Sequence, residues 1–370
     1  MKLKFACASL ALFPAAAFAA PITTDLTFAE VGEHVAGNAQ STLATVGDPD
    51  GAISNDPIFN GVGSLFVGGG LCTATLVNSF QAITAAHCFG DGAGDGSLTN
   101  ITTDNVVLGL GDVFIDGATA FFEDVINIAE VIINPLWLGP TGGVDVLPDG
   151  SLVQDVLGDG DIAIINLATE AVGFNTYDVL LEQTFDELFQ PHIRVGRGSN
   201  SPLGDPSDVG SDLEIRVGAN EYDLFLSNVL ATDTVLPGSK LLYDCDSGAV
   251  ADNFLPSFST AGPGEVFGPG SLGLGDIEAC ATPGDSGGGN FIIDPFTGEL
   301  ILVGVTSFGS SPQQFGGFGG DTSTAAHGDW LAQNLFVTGG GPIQPVSAPA
   351  PLGLLVLGLL GIGAAARRRS

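Results

Sequence analysis

Of 370 residues, 55 are glycine and 42 are acidic, against only nine lysines and arginines. Five of the nine lie at the two ends (Lys2, Lys4 and Arg367 to Arg369), so the body sets Arg194, Arg197, Arg216 and Lys240 against all 42 acids, a formal charge of −38. Such a field repels nucleic acid and anionic membrane surfaces, which excludes both as partners of the body. The acidity fits either solubility in salty water or binding of divalent cations. For the latter, Asp91-Gly92-Ala93-Gly94-Asp95-Gly96 and Gly158-Asp159-Gly160-Asp161 are candidate Ca2+ tracts, although neither has the ligand spacing of an EF-hand.

Residues 1–19 have the layout of a secretory signal peptide: Lys2 and Lys4, an apolar run from Phe5, then Ala17-Phe18-Ala19 as a small-residue cleavage site. Cys7 falls inside it, and the other four cysteines, Cys72, Cys88, Cys245 and Cys280, suit an oxidising compartment. Residues 20–60 are polar and turn-rich, with Asp48-Pro49-Asp50-Gly51 as a loop signal, and make a pro-segment, a linker or an N-terminal arm. Short apolar runs then alternate with Gly, Asn and Asp at 64–67, 73–77, 81–85, 106–110, 120–125, 130–133 and 162–167. Runs of this kind between turn residues predict an all-β barrel or sandwich, interrupted by a polar insertion at 136–160. The pattern repeats at 193–195, 213–217, 224–226, 240–243, 290–293 and 300–307.

Within the second series lies Pro283-Gly284-Asp285-Ser286-Gly287-Gly288-Gly289. A serine hydroxyl attacks a carbonyl at neutral pH only if a neighbouring base takes its proton and fixed donors stabilise the oxyanion. Glycines on both sides of Ser286 allow a tight turn that aims the Gly284 and Ser286 N–H groups into one small space. Of the four histidines, His34, His87, His192 and His327, only His87 ends an apolar run in small residues, Ala82-Ile83-Thr84-Ala85-Ala86-His87-Cys88. A buried carboxylate is needed to hold the imidazole's tautomer. Asp161 leads straight into the apolar Ile162-Ala163-Ile164-Ile165, an unusual place for a charge without a partner. Asp159 and Asp145 lie nearby as alternatives, and the Ile-Ala continuation selects Asp161.

Thr84-Ala85-Ala86-His87-Cys88, Asp161-Ile162-Ala163 and Gly284-Asp285-Ser286-Gly287-Gly288, in that order, resemble the chymotrypsin/trypsin-like serine peptidase family. The likeness covers roughly Gly61 to Leu335. It implies two packed six-stranded antiparallel β-barrels within 61–338, at about 61–175 and 176–325, with a closing helix at about 326–336 containing Trp330 and Leu331 as packing residues. The active site would lie in the cleft between the barrels. The resemblance further implies a Cys72–Cys88 disulfide at the base of the His87 loop, stabilising by roughly 3 kcal/mol in the chain-entropy model. Cys245 and Cys280 are left to pair with each other, a departure from many relatives.

The chain departs again at activation. Animal members carry a basic residue before a new N-terminus whose amine pairs with the acid preceding the serine; here no Lys or Arg lies between Ala20 and His192. Either another peptidase trims the segment, or Asp285 is satisfied by an internal donor. Ungapped counting places Cys280 at the floor of the specificity pocket, with Ser307, Phe308 and Gly309 as the wall that pairs with substrate backbone. If Thr282-Pro283 is an insertion, Glu278 takes the floor instead. The neutral pocket is preferred, for small or apolar side chains.

Residues 339–345 form a Gly/Pro linker, and Leu352 to Ala366 an apolar run before Arg367-Arg368-Arg369-Ser370. Residues 346–370 resemble the bacterial PEP-CTERM sorting signal, with Val346-Ser347-Ala348-Pro349-Ala350-Pro351 where that signal has Pro-Glu-Pro. The resemblance implies transient membrane insertion and removal by an exosortase-like transpeptidase, after signal peptidase has acted at the other end; a plain C-terminal anchor is the alternative. The expected protein is an exported bacterial serine endopeptidase of the cell surface, extracellular matrix or medium, acting on protein or peptide substrates without a cofactor. The competing expectation is a surface adhesin or binding module that keeps the fold without turnover.

Overall fold

The computed structural model describes residues 57–90, 103–116, 119–137, 144–146, 152–154, 160–182, 187–188, 190–198, 213–225, 238–245, 249, 255, 273–274, 278–294, 297–309, 316–337 and 341–342. The first series of apolar runs makes β1 (Val62–Val67), β2 (Gly70–Asn78), β3 (Gln81–Thr84), β4 (Val106–Asp116), β5 (Thr119–Ile133) and, after a short hairpin of β6 (Val144–Val146) and β7 (Leu152–Gln154), β8 (Ala163–Leu167). In the order β1-β2-β3-β8-β5-β4 they close into an antiparallel barrel. Closure leaves no edge strand unpaired. Inward positions alternate along the strands, so Leu65, Ala74, Leu76, Ala82, Leu108, Ile126 and Ile165 fill the interior.

The second series makes β9 (Asp178–Val179), β10 (Pro191–Gly196), β11 (Arg216–Glu221), β12 (Leu224–Phe225), β13 (Lys240–Cys245), β14 (Gly289–Ile293), β15 (Leu300–Gly309) and β16 (Gly317–Ser323). They form one sheet ordered β11-β10-β14-β15-β16-β13-β12, with β9 parallel to β15. Among the described residues eight strands make a half-barrel here, where the resemblance implies six closed into a barrel. Among the described residues no ladder joins β11 to β13; a side-chain bridge spans them instead, with Asn220 Nδ2 donating to Asp244 O at 3.0 Å. The two halves pack as a chymotrypsin-like two-barrel fold. Helix α1 (Gly328–Asn334) follows and seats Leu331 in the shared core, and β17 (Phe336–Val337) then pairs with β18 (Gly341–Pro342).

That shared core begins earlier than Gly61. A 3-10 turn at Pro57–Phe59 buries Ile58 and Phe59 in a cluster that also holds Ile162, Ile164, Ile193, Val195 and Leu302, so apolar side chains from both halves meet in it. Arg197 adds a polar clamp. Its buried guanidinium donates to Val62 O (2.8 Å), Gly111 O (2.9 Å) and Leu213 O (2.8 Å), stitching the second half to the first. Burial draws its pKa down to about 10 against the opposing pull of Glu214 and Asp112. The expected signal peptide, the segment before residue 57, the Asp91 to Gly96 tract, Asp159, the side chain of Asp145 and the expected sorting signal lie outside the described residues. Among the described residues no helix is long and apolar enough to cross a membrane.

Candidate active site

Strand register brings His87 and Asp161 together. β3 and β8 run antiparallel with Thr84 opposite Ala163, so the residues just past the end of β3 meet those just before the start of β8. The chain leaves β3 through extended Ala85 into a 3-10 turn, Ala86–Phe89, pinned by the buried Ala86 and Phe89. His87 rides on that turn with its ring 30% exposed, while the Asp161 side chain is 3% exposed. The carboxylate grips both the ring and the main chain: His87 Nδ1 lies 2.8 Å from Asp161 Oδ2, and His87 N–H donates to Oδ1 at 2.8 Å. With Nδ1 protonated and facing the acid, Nε2 carries the free lone pair. That is the tautomer a general base requires.

The Ser286 loop reaches the same wall from the other half. It directly precedes β14, and it docks on Thr73 of β2. Thr73 N–H donates to Ser286 O (2.8 Å) and Thr73 Oγ1 to Gly284 O (2.9 Å), while Arg197 N–H donates to Thr73 Oγ1 (3.1 Å). Gly287, at φ +85°, makes the approach possible. A Cβ there would fall 2.1 Å from Thr84 Oγ1 and 2.2 Å from Thr73 O, against the strand that leads to His87. Cys88 Sγ lies 3.8 Å from Ser286 O. Among the described residues the Ser286 hydroxyl has no hydrogen-bond partner, so its link to the imidazole is not closed here. Such links are commonly loose before substrate binds. Gly284 takes φ +99°, and neither its N–H nor that of Ser286 donates to an acceptor among the described residues.

Asp285 is buried under this loop. Oδ1 accepts from Gly198 N–H (2.8 Å), and Oδ2 from Thr282 N–H (2.7 Å) and Thr282 Oγ1 (2.9 Å). Burial raises its pKa, and these donors together with Arg194 work against the rise.

Behind Asp161 stands a second polar layer. The Ser307 hydroxyl donates to Asp161 Oδ2, and Thr322 Oγ1 donates to Asp161 O at 2.9 Å. Lys240 Nζ donates to Ser307 Oγ (2.8 Å) and Thr322 Oγ1 (2.7 Å) and lies 4.0 Å from Asp161 Oδ2. Burial alone would push the Asp161 carboxyl up, but His87, the Lys240 ammonium and the His87 and Ser307 hydrogen bonds hold it well below the usual carboxylate range. Asp161 is therefore ionised at neutral pH.

Of the residues expected to shape a pocket, Ser307 thus also reaches Asp161, while Phe308 packs edge-on to Phe318 with ring centroids 6.3 Å apart. Gly309 ends β15, and Cys280 is buried in a disulfide to Cys245. Cys72 and Cys88 form the other disulfide, with Cα atoms 6.3 Å apart. Glu278, the alternative floor residue, is turned to the main chain, its Oε1 accepting from Leu274 N–H at 2.9 Å. One group of metal-ligating atoms gathers among the described residues, at Cys72, His87 and Cys88. Its two sulfurs are joined in the disulfide and offer no thiolate. Sequence reasoning missed Thr73, Lys240, Thr282 and Thr322. Each is a polar residue inside an apolar or loop stretch; Thr73, Lys240 and Thr322 gain their roles through long-range pairing, and Thr282 through a turn to Asp285 three residues on.

The interior of the second half is polar as well. Arg194 and Asp321 are fully buried and paired, with Nη1 to Oδ2 at 2.8 Å and Nη2 to Oδ1 at 3.2 Å. His192 stacks on Tyr222 with centroids 3.9 Å apart, and its Nε2 lies 3.4 Å from Arg194 Nη1. Burial, then the Arg194 charge, pushes its pKa well below the ordinary value, so the native ring stays neutral. The unfolded chain takes up a proton below about pH 6.5 that the native ring refuses. Stability from this group is complete above that pH and falls as the pH drops through it. His192→Phe should flatten the decline between pH 7.5 and 5.5 by roughly 1.4 kcal/mol, read from urea denaturation of both proteins.

No curated protein matches the sequence. Residues 56–235 match the family model described as Trypsin, a span that contains His87 and Asp161 and stops short of Ser286. With the two-barrel fold around it, this match supports a serine peptidase of the chymotrypsin/trypsin-like family.

Proposed function

We propose that the protein is a serine endopeptidase that hydrolyses peptide bonds through an acyl-enzyme. Ser286 attacks the carbonyl while His87 Nε2 takes its proton. His87 then returns the proton to the leaving amine, and Asp161 orients the ring and balances its positive form. The Gly284 and Ser286 N–H groups hold the oxyanion. Water attacks the acyl-enzyme by the same steps in reverse. The observation that carries this reading is the double grip of Asp161 on His87, by ring and by main chain, at the wall where the Ser286 loop docks. The donors of Asp285 are Thr282 and Gly198, which supports a site formed without a newly cut N-terminus. Tyr243 Oη would lie 2.2 Å from a Cβ on Gly319, and Phe308 Cε1 2.4 Å from one on Gly320. Rings filling that space beside Gly309 support small or apolar residues before the scissile bond.

The open Ser286–His87 link favours a second reading, a binding module of the cell surface that keeps the fold without turnover. A fluorophosphonate probe separates the two. Covalent labelling at Ser286, lost in Ser286→Ala, is the expected outcome; an unlabelled, folded protein supports the binding module. Export and surface sorting, with signal peptidase and an exosortase-like transpeptidase as partners, remain part of the proposal. They are supported by the two apolar termini and by a fold closed with two disulfides.

A further inference from the structure

A lysine buried behind a catalytic acid is costly unless its charge is used. Lys240 sits on β13 with its ammonium shut off from solvent. It has three donors. Two go to the hydroxyl oxygens of Ser307 and Thr322, and Asp161 Oδ2 stands 4.0 Å away. Because the ammonium can only donate, Ser307 Oγ must accept from it and turn its own proton toward Asp161, the direction in which the Ser307–Asp161 bond runs. Thr322 is oriented the same way, accepting from Lys240 and donating to Asp161 O. One cation thereby fixes two hydroxyl rotors on the acid. Both Lys240 and Ser307 are buried, and the two hydroxyl and ammonium contacts point inward to Asp161.

We propose that Lys240 is a positioning residue for the Asp161–His87 pair, orienting the Ser307 and Thr322 hydroxyls onto Asp161 and balancing part of its charge. The proposal rests on the peptidase reading and adds a residue to it. The titratable group that touches the imidazole is Asp161, just before β8, and Lys240 on β13 stands behind that acid. β15 presents only the Ser307 hydroxyl and β16 that of Thr322, while Asp321 on β16 is committed to Arg194 and Tyr222, and the Cys72 and Cys88 sulfurs are oxidised. With the ammonium removed, the Asp161 charge falls undivided on the ring and favours its protonated form.

Lys240→Met and Lys240→Gln should therefore move the acidic limb of the kcat/KM profile up by about one pH unit, lowering kcat with little change in KM. Lys240→Arg should keep the wild-type limb. An NMR titration of the ring, which needs no turnover, should show the same displacement of its midpoint. Neutral variants that fold and titrate like the wild type would overturn the proposal. Should both fail to fold, the wild type decides, because the chain has only three lysines and their 15Nζ resonances are easily separated. An ammonium resonance for Lys240 at pH 7 supports the proposal, and a neutral amine there sinks it. A wild type that turns nothing over and takes no fluorophosphonate fails the peptidase reading instead, a result these NMR readouts do not share.

Discussion

Replacing Ser286 by Ala is expected to lower kcat by roughly 10⁴-fold or more, with KM nearly unchanged. In the proposed mechanism the hydroxyl oxygen forms the bond to the acyl carbon, so its loss removes the acyl-enzyme route, while the pocket and the N–H groups of the loop remain to bind substrate. Little stability should go with it. The side chain is half-buried and bonds to nothing among the described residues, and the loop is held by main-chain contacts to Thr73 and by Asp285. His87→Ala should cost about as much as Ser286→Ala, and the double variant hardly more, because the two act as one unit. Turnover by Ser286→Ala within tenfold of the wild type would show that the hydrolysis belongs to some other group.

The motifs of the proposed triad are legible in the sequence for a local reason. An acid heading an apolar strand, a histidine closing one, and a serine between glycines each break the pattern around them, and such breaks mark chemistry. Strand alternation is legible for the same reason in β1 to β3. It continues further than the runs at 120–125 and 130–133 suggest. Ile126 and Ile128 face inward with Asn127 between them, so β5 is one long strand with an irregularity after Ile128. β16 is hidden more deeply. Its glycines and its acid look like a turn, yet Gly319 and Gly320 leave room for the Tyr243 and Phe308 rings, and Asp321 is neutralised by Arg194. Nothing within a dozen residues of Asp321 announces that partner. Lys240 is opaque in the same way, since Ser307 and Thr322 are brought close to it only by the fold.

Replacing Asp321 by Asn is expected to destabilise the protein by about 3–5 kcal/mol, a large share of the 5–15 kcal/mol typical of a folded domain. The Arg194 guanidinium lies in the interior of the second half, its carbon 4.0 Å from the centroid of the Tyr243 ring and its Nη2 3.3 Å from Thr306 Oγ1. Those contacts are neutral. Asp321 is the anion that offsets its burial, and it also accepts from Tyr222 Oη at 2.8 Å. An amide of the same shape keeps an acceptor but leaves the cation without its direct counter-ion. Urea denaturation at pH 7 is the check, and a loss under about 1 kcal/mol would mean that water or relaxation carries the charge. Removing both charges, as in Arg194→Met with Asp321→Leu, should recover most of the loss, because a buried ion pair is worth little against well-packed apolar side chains while half of one is costly. Activity should not recover with it in full. Thr322, next along β16, holds Asp161 O and Lys240, so an altered β16 reaches the acid through its main chain as well as through its field.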